Sequence, residues 1–183
     1  MQQKNLVRKK YFILRKKKYF ETSKDFFIPI LDLIKLRFKK KKIKLALYYP
    51  ASFEVNVLNL LKFNYICKQD LLLPVVEEGN LMNYFKWKKN EVLKVNKFGM
   101  LEPIKSKQNV PNIMLVPLLA FDKNKFRLGY GKGFYDRYLN KYLKTFKNIL
   151  TVGVAFSFQK HHKLPINNKD VKLDYILTEK GIY

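Results

Sequence analysis

The stretch from Val116 to Leu139, VPLLAFDKNKFRLGYGKGFYDRYL, constrains this chain more than any other. An apolar run stops at a polar loop, three glycines follow at alternate positions (Gly129, Gly131, Gly133), and an aromatic-rich pattern with helical spacing starts at Phe134. A strand, a glycine turn and a helix N-terminus in that order leave backbone N–H groups open to close approach, and the helix dipole there favours negative charge. Three glycines cost conformational entropy that a bare connection does not need, which favours a ligand loop over a simple turn. Two familiar phosphate loops are excluded. The Walker pattern requires Lys and then Ser or Thr, whereas this chain reads Gly131-Lys132-Gly133-Phe134; the dinucleotide fingerprint requires G-x-G-x-x-G, whereas the spacing here is G-x-G-x-G. Arg127 and Lys132 add fixed positive charge. Asp136, about one turn into the helix, repels a bound phosphate unless Mg²⁺ lies between them, or else is a surface carboxylate paired with Lys132.

Around this stretch, strand and helix patterns alternate. Apolar runs at Ile43–Tyr49, Leu71–Val76, Ile113–Phe121 and Ile149–Phe156 read as buried strands, with shorter ones at Asn83–Lys88 and Asp174–Thr178. Residues 2–20 read as a basic amphipathic helix with Leu6, Tyr11, Leu14 and Phe20 on its apolar side. A second helix starts after Thr22 or Ser23 and carries Phe26, Phe27, Ile30, Leu31, Ile34 and Phe38, with Pro29 in its early turns. A third opens at Glu54, after the turn Pro50–Ser52, and a fourth runs from Phe134 to about Lys147. Residues 89–112 read as a polar loop containing FGMLEP, Phe98 to Pro103. Near-continuously apolar strands alternating with helices predict a three-layer α/β/α fold with an open, mostly parallel (mixed) sheet, Rossmann-like in outline and a single domain over residues 1–183. Ligands in such sheets sit beyond the carboxyl ends of the strands, which places the loops after Tyr49, after Val76 and at the glycines on one rim.

The net charge is +24, yet 33 of the 38 basic residues are lysines spread along the whole chain, and only Arg8, Arg15, Arg37, Arg127 and Arg137 are arginines. A dedicated nucleic-acid reader concentrates its charge and uses arginine for forked contacts, so lysine as a general surface residue outranks polyanion binding. The 15 Phe and 12 Tyr keep a stacking surface for RNA open as a rival, but no RNP or KH pattern accompanies them. The single Cys67 rules out an intrachain disulfide and a cysteine-based zinc site, which fits a reducing cytoplasm, and it reads as a small core residue. No run approaches the roughly 18 apolar residues of a membrane span. His161 and His162, adjacent in a polar segment, read as solvated, and neither Arg15 nor Arg37 is given a role.

The glycine block resembles the signature of the 5-formyltetrahydrofolate cyclo-ligase family, also called 5,10-methenyltetrahydrofolate synthetases. FGMLEP is similar to that family's FG-x-x-EP segment, and Lys4 and Arg8 to its K-x-x-x-R start. Tyr49 and Glu54 match its strand-end and substrate-glutamate positions, and the ending with Asp170, Asp174 and DYILTE resembles its C-terminal stretch. The blocks span nearly the whole chain.

The resemblance implies an ATP-dependent ring closure. ATP phosphorylates the formyl oxygen of 5-formyltetrahydrofolate, the nitrogen at position 10 attacks the formyl carbon of the imidate phosphate, and phosphate leaves to give 5,10-methenyltetrahydrofolate. Carried over residue by residue, ATP falls to Lys4, Arg8 and the run Arg127, Leu128, Gly129, Tyr130, Gly131, Lys132, Gly133, Phe134 and Tyr135. The folate falls to Tyr49, Glu54, Tyr130, Gly131, Lys132, Gly133 and Phe134. Arg127 and Lys132 offset charge on the transferred group, and Asp136 and Asp170 hold Mg²⁺. Tyr84 and Trp87 are added as an aromatic wall for the planar ring. The implied protein is a cytoplasmic monomer with small-molecule substrates only, without specific nucleic acid or membrane partners. Two positions depart from the family: Leu118 and Lys125 stand where glycine is usual.

Overall fold

A computed structural model describes residues 2–39, 41–146 and 148–183. Four α-helices form: α1 Gln2–Lys18, α2 Ile28–Phe38, α3 Asn64–Cys67 and α4 Phe134–Thr145. Twelve strands form: β1 Lys44–Ala46, β2 Asp70–Val76, β3 Met82–Lys86, β4 Leu93–Val95, β5 Leu101–Pro103, β6 Gln108–Asn109, β7 Ile113–Pro117, β8 Ala120–Phe121, β9 Arg127–Leu128, β10 Leu150–Val154, β11 Tyr175–Thr178 and β12 Gly181–Ile182. Eight build the main sheet in the order β12-β11-β10-β7-β1-β2-β3-β6, and β4–β5 and β8–β9 are separate hairpins. The neighbours from β11 through β10, β7 and β1 to β2 are parallel, while β12, β3 and β6 add antiparallel edges. The expected open, mostly parallel α/β sheet is therefore present.

Because side chains alternate across a strand, the apolar strands feed two cores. Leu45, Leu71, Leu73, Ile113, Leu115 and Val152 face α2 and the segment after β1. Ala46, Leu72, Met114 and Val116 face Tyr138, Leu139 and Tyr142 of α4. The crossover from β1 to β2 runs over the first face and that from β7 to β10 over the second. Adjacent parallel strands β1 and β7 thus send their chains away in opposite directions, and the crevice between their carboxyl ends is the topological switch point.

Several expectations change. The helix from Glu54 is instead a 3₁₀ turn, Val57–Lys62, followed by the single turn of α3. Asn56 sets this, because its side chain accepts from the Leu58 N–H at 3.1 Å and starts the tight turn. Ser23 does act as a cap, but for a 3₁₀ turn, Lys24–Phe27, that precedes α2. Residues 89–112 are not a plain loop: they hold β4, β5 and β6, whose two- and three-residue lengths leave no readable alternation. Helix α4 ends at Thr145, and Lys147 lies outside the described residues. Cys67 is exposed at the end of α3 rather than in the core. Pro74 sits inside β2, opposite Tyr84 of β3, beyond the point where β1 pairs with Leu72. Its missing N–H falls where no strand asks for it.

The two departures from the family pattern are both absorbed. Leu118 turns its side chain into the α4-side core and leaves only its carbonyl at the rim. A Cβ on Gly153 would lie 2.8 Å from Leu118 Cδ2, 2.7 Å from Ile176 Cδ1 and 2.9 Å from Leu173 Cδ1, so the glycine of β10 makes room for that leucine. Lys125 adopts the left-handed φ of +67° that a glycine takes freely. Its turn is held by Asp122 Oδ1, which accepts from the Asn124 and Phe126 N–H groups. Gly153→Ala is expected to cost about 1–3 kcal/mol by overpacking and distinctly less in a Leu118→Ala background; equal costs in the two backgrounds, measured by urea unfolding, would remove this account of Leu118.

Candidate active site

The rim at the switch point is assembled by α1, the turn after β1, and the loop between β9 and α4. On α1, Lys4, Arg8, Tyr11 and Arg15 recur at spacings of four, three and four and so share one face. Tyr11 packs with Leu119, Ala120, Leu128 and Leu164, which docks the helix on the β8–β9 hairpin. Of the expected apolar side, Tyr11 and Leu14 dock, whereas Leu6 and Phe20 are exposed. His161 is half-buried rather than solvated, with Nδ1 3.2 Å from the Tyr11 hydroxyl.

Docking brings the α1 cations onto the glycine loop. Arg8 Nε donates to the Gly129 carbonyl at 2.9 Å. A Cβ on Gly131, whose φ is +105°, would lie 3.2 Å from the Arg8 guanidinium carbon. Gly133, φ +68°, is the N-cap of α4, and no side chain caps that helix. Gly131 and Gly133 are therefore required by backbone shape, whereas Gly129 has open space around it. Arg137 reaches back to donate to the carbonyls of Asn80 and Lys132, each at 2.6 Å, and braces the loop from behind.

The two aspartates expected to hold Mg²⁺ lie on neighbouring segments. Asp136 Oδ1 accepts from Arg127 Nη1 at 2.7 Å and from the N–H of Val171 at 3.3 Å, beside Asp170. Asp170 accepts from Lys4 Nζ at 2.5 Å and from the Asn167 N–H at 2.6 Å. Asp136 thus pairs with Arg127 and not with Lys132. Among the described residues no three metal-ligating side chains cluster. Two carboxylates suit Mg²⁺, which is commonly held by one or two carboxylates with substrate phosphates and water.

The turn after β1 forms the second half of the rim. Ser52 and Phe53 both have positive φ, +48° and +64°, a strained conformation for non-glycine residues. Glu54 closes this turn: its Oε2 accepts from the Ala51 N–H at 3.0 Å and its Oε1 from the Tyr130 hydroxyl at 3.1 Å. Burial pushes the Glu54 carboxyl above the ordinary glutamate range, against the opposing pull of Arg15, the Ala51 N–H and the Tyr130 hydroxyl. Burial, with Glu54 beside it, likewise raises the Tyr130 phenol. Tyr49 lies half-buried nearby and lines a cavity of about 400 Å³ with Asn56, Leu58, Lys62 and Trp87. A larger concavity, about 790 Å³, lies at the opposite strand ends around Lys42, Asp70 and Lys86, and Trp87 borders both.

Tyr84 is no part of a wall for a planar ring. It is fully buried, edge-on to Tyr138 at 5.1 Å, on the sheet face opposite to Trp87. The three-residue separation of Tyr84 and Trp87 along an extended chain puts them on opposite faces. The FGMLEP block forms the turn and second strand of the β4–β5 hairpin. Glu102, nearly fully buried, accepts from the Val76 N–H and Asn96 Nδ2, both at 3.1 Å, and ties the hairpin to the end of β2. At the tip, Phe98 meets Phe134 at 5.6 Å and lies under Lys132 Nζ, so the hairpin reaches the glycine loop.

Reading for apolar periodicity missed Arg15, which is 1% exposed and donates to Leu118 O, Ser52 O and the Tyr130 hydroxyl. A signal was present. Four of the five arginines, Arg8, Arg15, Arg127 and Arg137, bond at this rim, and the fifth, Arg37, lies on α2 away from it. In a chain saturated with lysine, arginine marks the places that need a forked donor.

A glycine loop at a helix N-terminus and a buried carboxylate share one crevice of an open α/β sheet, where ligands of such sheets bind. Residues 4–179 match the model of the 5-formyltetrahydrofolate cyclo-ligase family, and the chain belongs to that family of ligases. It is 33% identical over 155 residues to the 5-formyltetrahydrofolate cyclo-ligase of Haemophilus influenzae, covering 81% of this chain and 80% of that one. The Mycoplasma genitalium relative of the same name is 33% identical, covering 73% and 70%. Among solved structures, the 5,10-methenyltetrahydrofolate synthetase of Aquifex aeolicus superposes with a TM-score of 0.74 at 34% identity, covering 98% of this chain and 91% of that one. That of Mycoplasma pneumoniae superposes with a TM-score of 0.70 at 26% identity, covering 96% and 98%.

The Arg127–Asp136 pair is the interaction here whose loss leaves a buried charge, since the Arg127 side chain is 3% exposed. Asp136→Ala is expected to lower stability by about 3 kcal/mol. Asp70→Ala, whose partners Lys42 and Lys86 are more than half exposed, is expected to cost under about 1 kcal/mol. Urea unfolding of the two variants checks the contrast.

Proposed function

We propose that this protein closes the ring of 5-formyltetrahydrofolate to 5,10-methenyltetrahydrofolate at the expense of ATP, releasing ADP and phosphate. The observation that carries the reading is the single rim on which Arg8 bonds the glycine loop and Lys4 bonds Asp170, while Tyr130 of that loop bonds Glu54. Family membership supports the activity; the residue roles rest on that geometry.

Phosphoryl transfer asks the protein for positioning and for charge neutralisation rather than for covalent chemistry. In this reading the N–H groups of Gly129 to Phe134 and the ends of Lys4, Arg8 and Lys132 hold the ATP phosphates. Leu128 and Tyr135 shape the loop from beneath. Arg127, buried behind the loop with its guanidinium 5.6 Å from the Tyr135 ring centre, supplies positive potential rather than a mobile finger. Glu54 accepts hydrogen bonds from the pterin edge in place of the Tyr130 hydroxyl, and Tyr49 lies along the folate beside the cavity that it shares with Trp87. The formyl oxygen takes the γ-phosphoryl group. The nitrogen at position 10 then attacks the formyl carbon, and that oxygen departs with the phosphate. Asp136 and Asp170, which bond Arg127 and Lys4, are the residues that would hold Mg²⁺, and the ion would supply charge neutralisation on the phosphates.

We further take the protein to act as a cytoplasmic monomer in a single domain. Among the described residues no helix is long and apolar enough to cross a membrane. Tyr11, Phe27, Tyr48, Tyr84, Phe121, Tyr138 and Phe156 are all buried, which removes much of the stacking surface that RNA binding would use.

Incubation with 5-formyltetrahydrofolate, ATP and Mg²⁺ is expected to yield the absorbance of the methenyl product; its absence, together with no ATP-dependent folate binding, overturns the reading. At a temperature where every variant is folded, Arg127→Ala and Asp136→Ala are expected to lose about 100-fold or more in kcat. The exposed Lys123→Ala is expected to stay within about twofold, since it touches neither subsite. Equal turnover in all three would overturn the loop assignment.

A further inference from the structure

We infer that Arg15 is the positioning residue of the folate subsite: it clamps the strained turn after β1 and the Tyr130 hydroxyl so that Glu54 is held as an acceptor for the pterin. The inference rests on the functional reading above and adds to it a residue outside the glycine loop.

Three observations carry it. First, Arg15 is buried and forms no ion pair among the described residues. A permanently charged guanidinium out of water is costly unless something compensates it. Its Nη1 donates to the Leu118 carbonyl at 3.1 Å, and its Nη2 to the Ser52 carbonyl at 2.8 Å and to the Tyr130 hydroxyl, while its Nε has no partner. A core residue kept for packing alone would be apolar at this position.

Second, the three groups it grips come from three segments that otherwise diverge. Leu118 lies at the end of β7, Ser52 in the turn after β1, and Tyr130 in the glycine loop. Ser52 and Phe53 are held in left-handed conformations, and such strain persists only where the surroundings over-determine it. Arg15 on Ser52 O holds the turn from outside, and within it Glu54 bonds Ala51 twice, its carboxylate accepting from the Ala51 N–H and its own N–H donating to the Ala51 carbonyl.

Third, the hydrogen bonds run in one direction. Arg15 donates to the Tyr130 oxygen, which leaves the Tyr130 hydroxyl proton free to donate to Glu54 Oε1. The guanidinium also lies over the Tyr130 ring, 5.4 Å from its centre. The charged and titratable groups around Glu54 are Arg15 from α1, Tyr48 from the end of β1, Tyr130 from the glycine loop and Tyr135 from α4. Arg15 is the one cation among them, and the three phenols are all raised by burial. Ionised Glu54 can accept the N–H donors of a pterin edge; protonated, it cannot accept two. Arg15 holds that charge in a buried turn as its one cationic partner, beside the Ala51 N–H and the Tyr130 hydroxyl.

The test uses Arg15→Met and Arg15→Lys in the full chain, with two readouts. The ¹³C titration of the Glu54 carboxyl in the free protein needs no substrate. For Arg15→Met its midpoint is expected to move up by about one pH unit or more, and for Arg15→Lys to stay near that of the parent protein. In steady-state assays, Arg15→Met is expected to raise KM for 5-formyltetrahydrofolate about tenfold or more, with KM for ATP within about threefold. Arg15→Lys, with a point charge in place of a fork, is expected to raise the folate KM at least about threefold. A lowered Tm with the Glu54 midpoint and folate KM both unchanged makes Arg15 merely structural and overturns the inference. If Arg15→Met does not fold, Arg15→Lys decides it: a folate KM equal to that of the parent protein overturns, and a selective rise supports. Failure of the parent protein to turn over 5-formyltetrahydrofolate overturns the functional reading instead, and the Glu54 titration still decides the role of Arg15.

Discussion

The site depends on one constraint, that β1 and β7 are parallel neighbours whose connections leave over opposite faces of the sheet. Crossovers of one handedness force this once the strand order grows outward in both directions from β1 and β7. The carboxyl ends of the two strands then have no helix packed between them. The turn carrying Glu54 and the carbonyl of Leu118 face each other across that gap, and a helix that enters from the side can reach both. Helix α1 fills this role: Tyr11 docks it on Leu119, Ala120, Leu128 and Leu164, while Lys4, Arg8 and Arg15 of the same face meet carbonyls, a phenol and a carboxylate.

Charge in this protein divides by side-chain type. The lysines on the exposed faces make short-lived, solvent-screened contacts, as at Asp70, and confer solubility more than structure. Four of the five arginines sit at the rim, and Arg8, Arg15 and Arg137 each grip two or three groups at once. Arg8 ties α1 to the loop, Arg137 braces the loop against Asn80, Arg127 holds Asp136, and Arg15 joins both halves of the rim. A net charge of +24 is therefore mostly a statement about the surface, while a handful of guanidinium groups carry the architecture of the site.

The family's glycine positions also separate by cause. Gly131 and Gly133 answer to backbone conformation and to the closeness of Arg8 and Arg137, whereas Gly129 leaves room. Leu118 and Lys125 replace glycines without disturbing the rim because one points its side chain into the core above Gly153 and the other sits in a turn that Asp122 already holds. What matters at each position is the direction of the Cβ and the φ required, neither of which is visible in a residue name.

The positions Lys4, Arg8 and Glu54 come from the family resemblance, whereas sequence alone determined the α/β class and the strand–glycine–helix unit, because each of these rests on local chemistry: apolar periodicity and glycine freedom. It failed where the determinant was remote. The β4–β5 hairpin is tied to the end of β2 by Glu102, a partner distant in the chain, whereas the 3₁₀ turn after Glu54 has a local cause, the Asn56 side chain, that apolar periodicity does not register. Tyr84 and Trp87 parted to opposite faces once strand register was set. Arg15 is the sharpest case. Its burial follows from no neighbour in the chain but from three segments, at Ser52, Leu118 and Tyr130, which only the folded sheet brings within reach of one guanidinium.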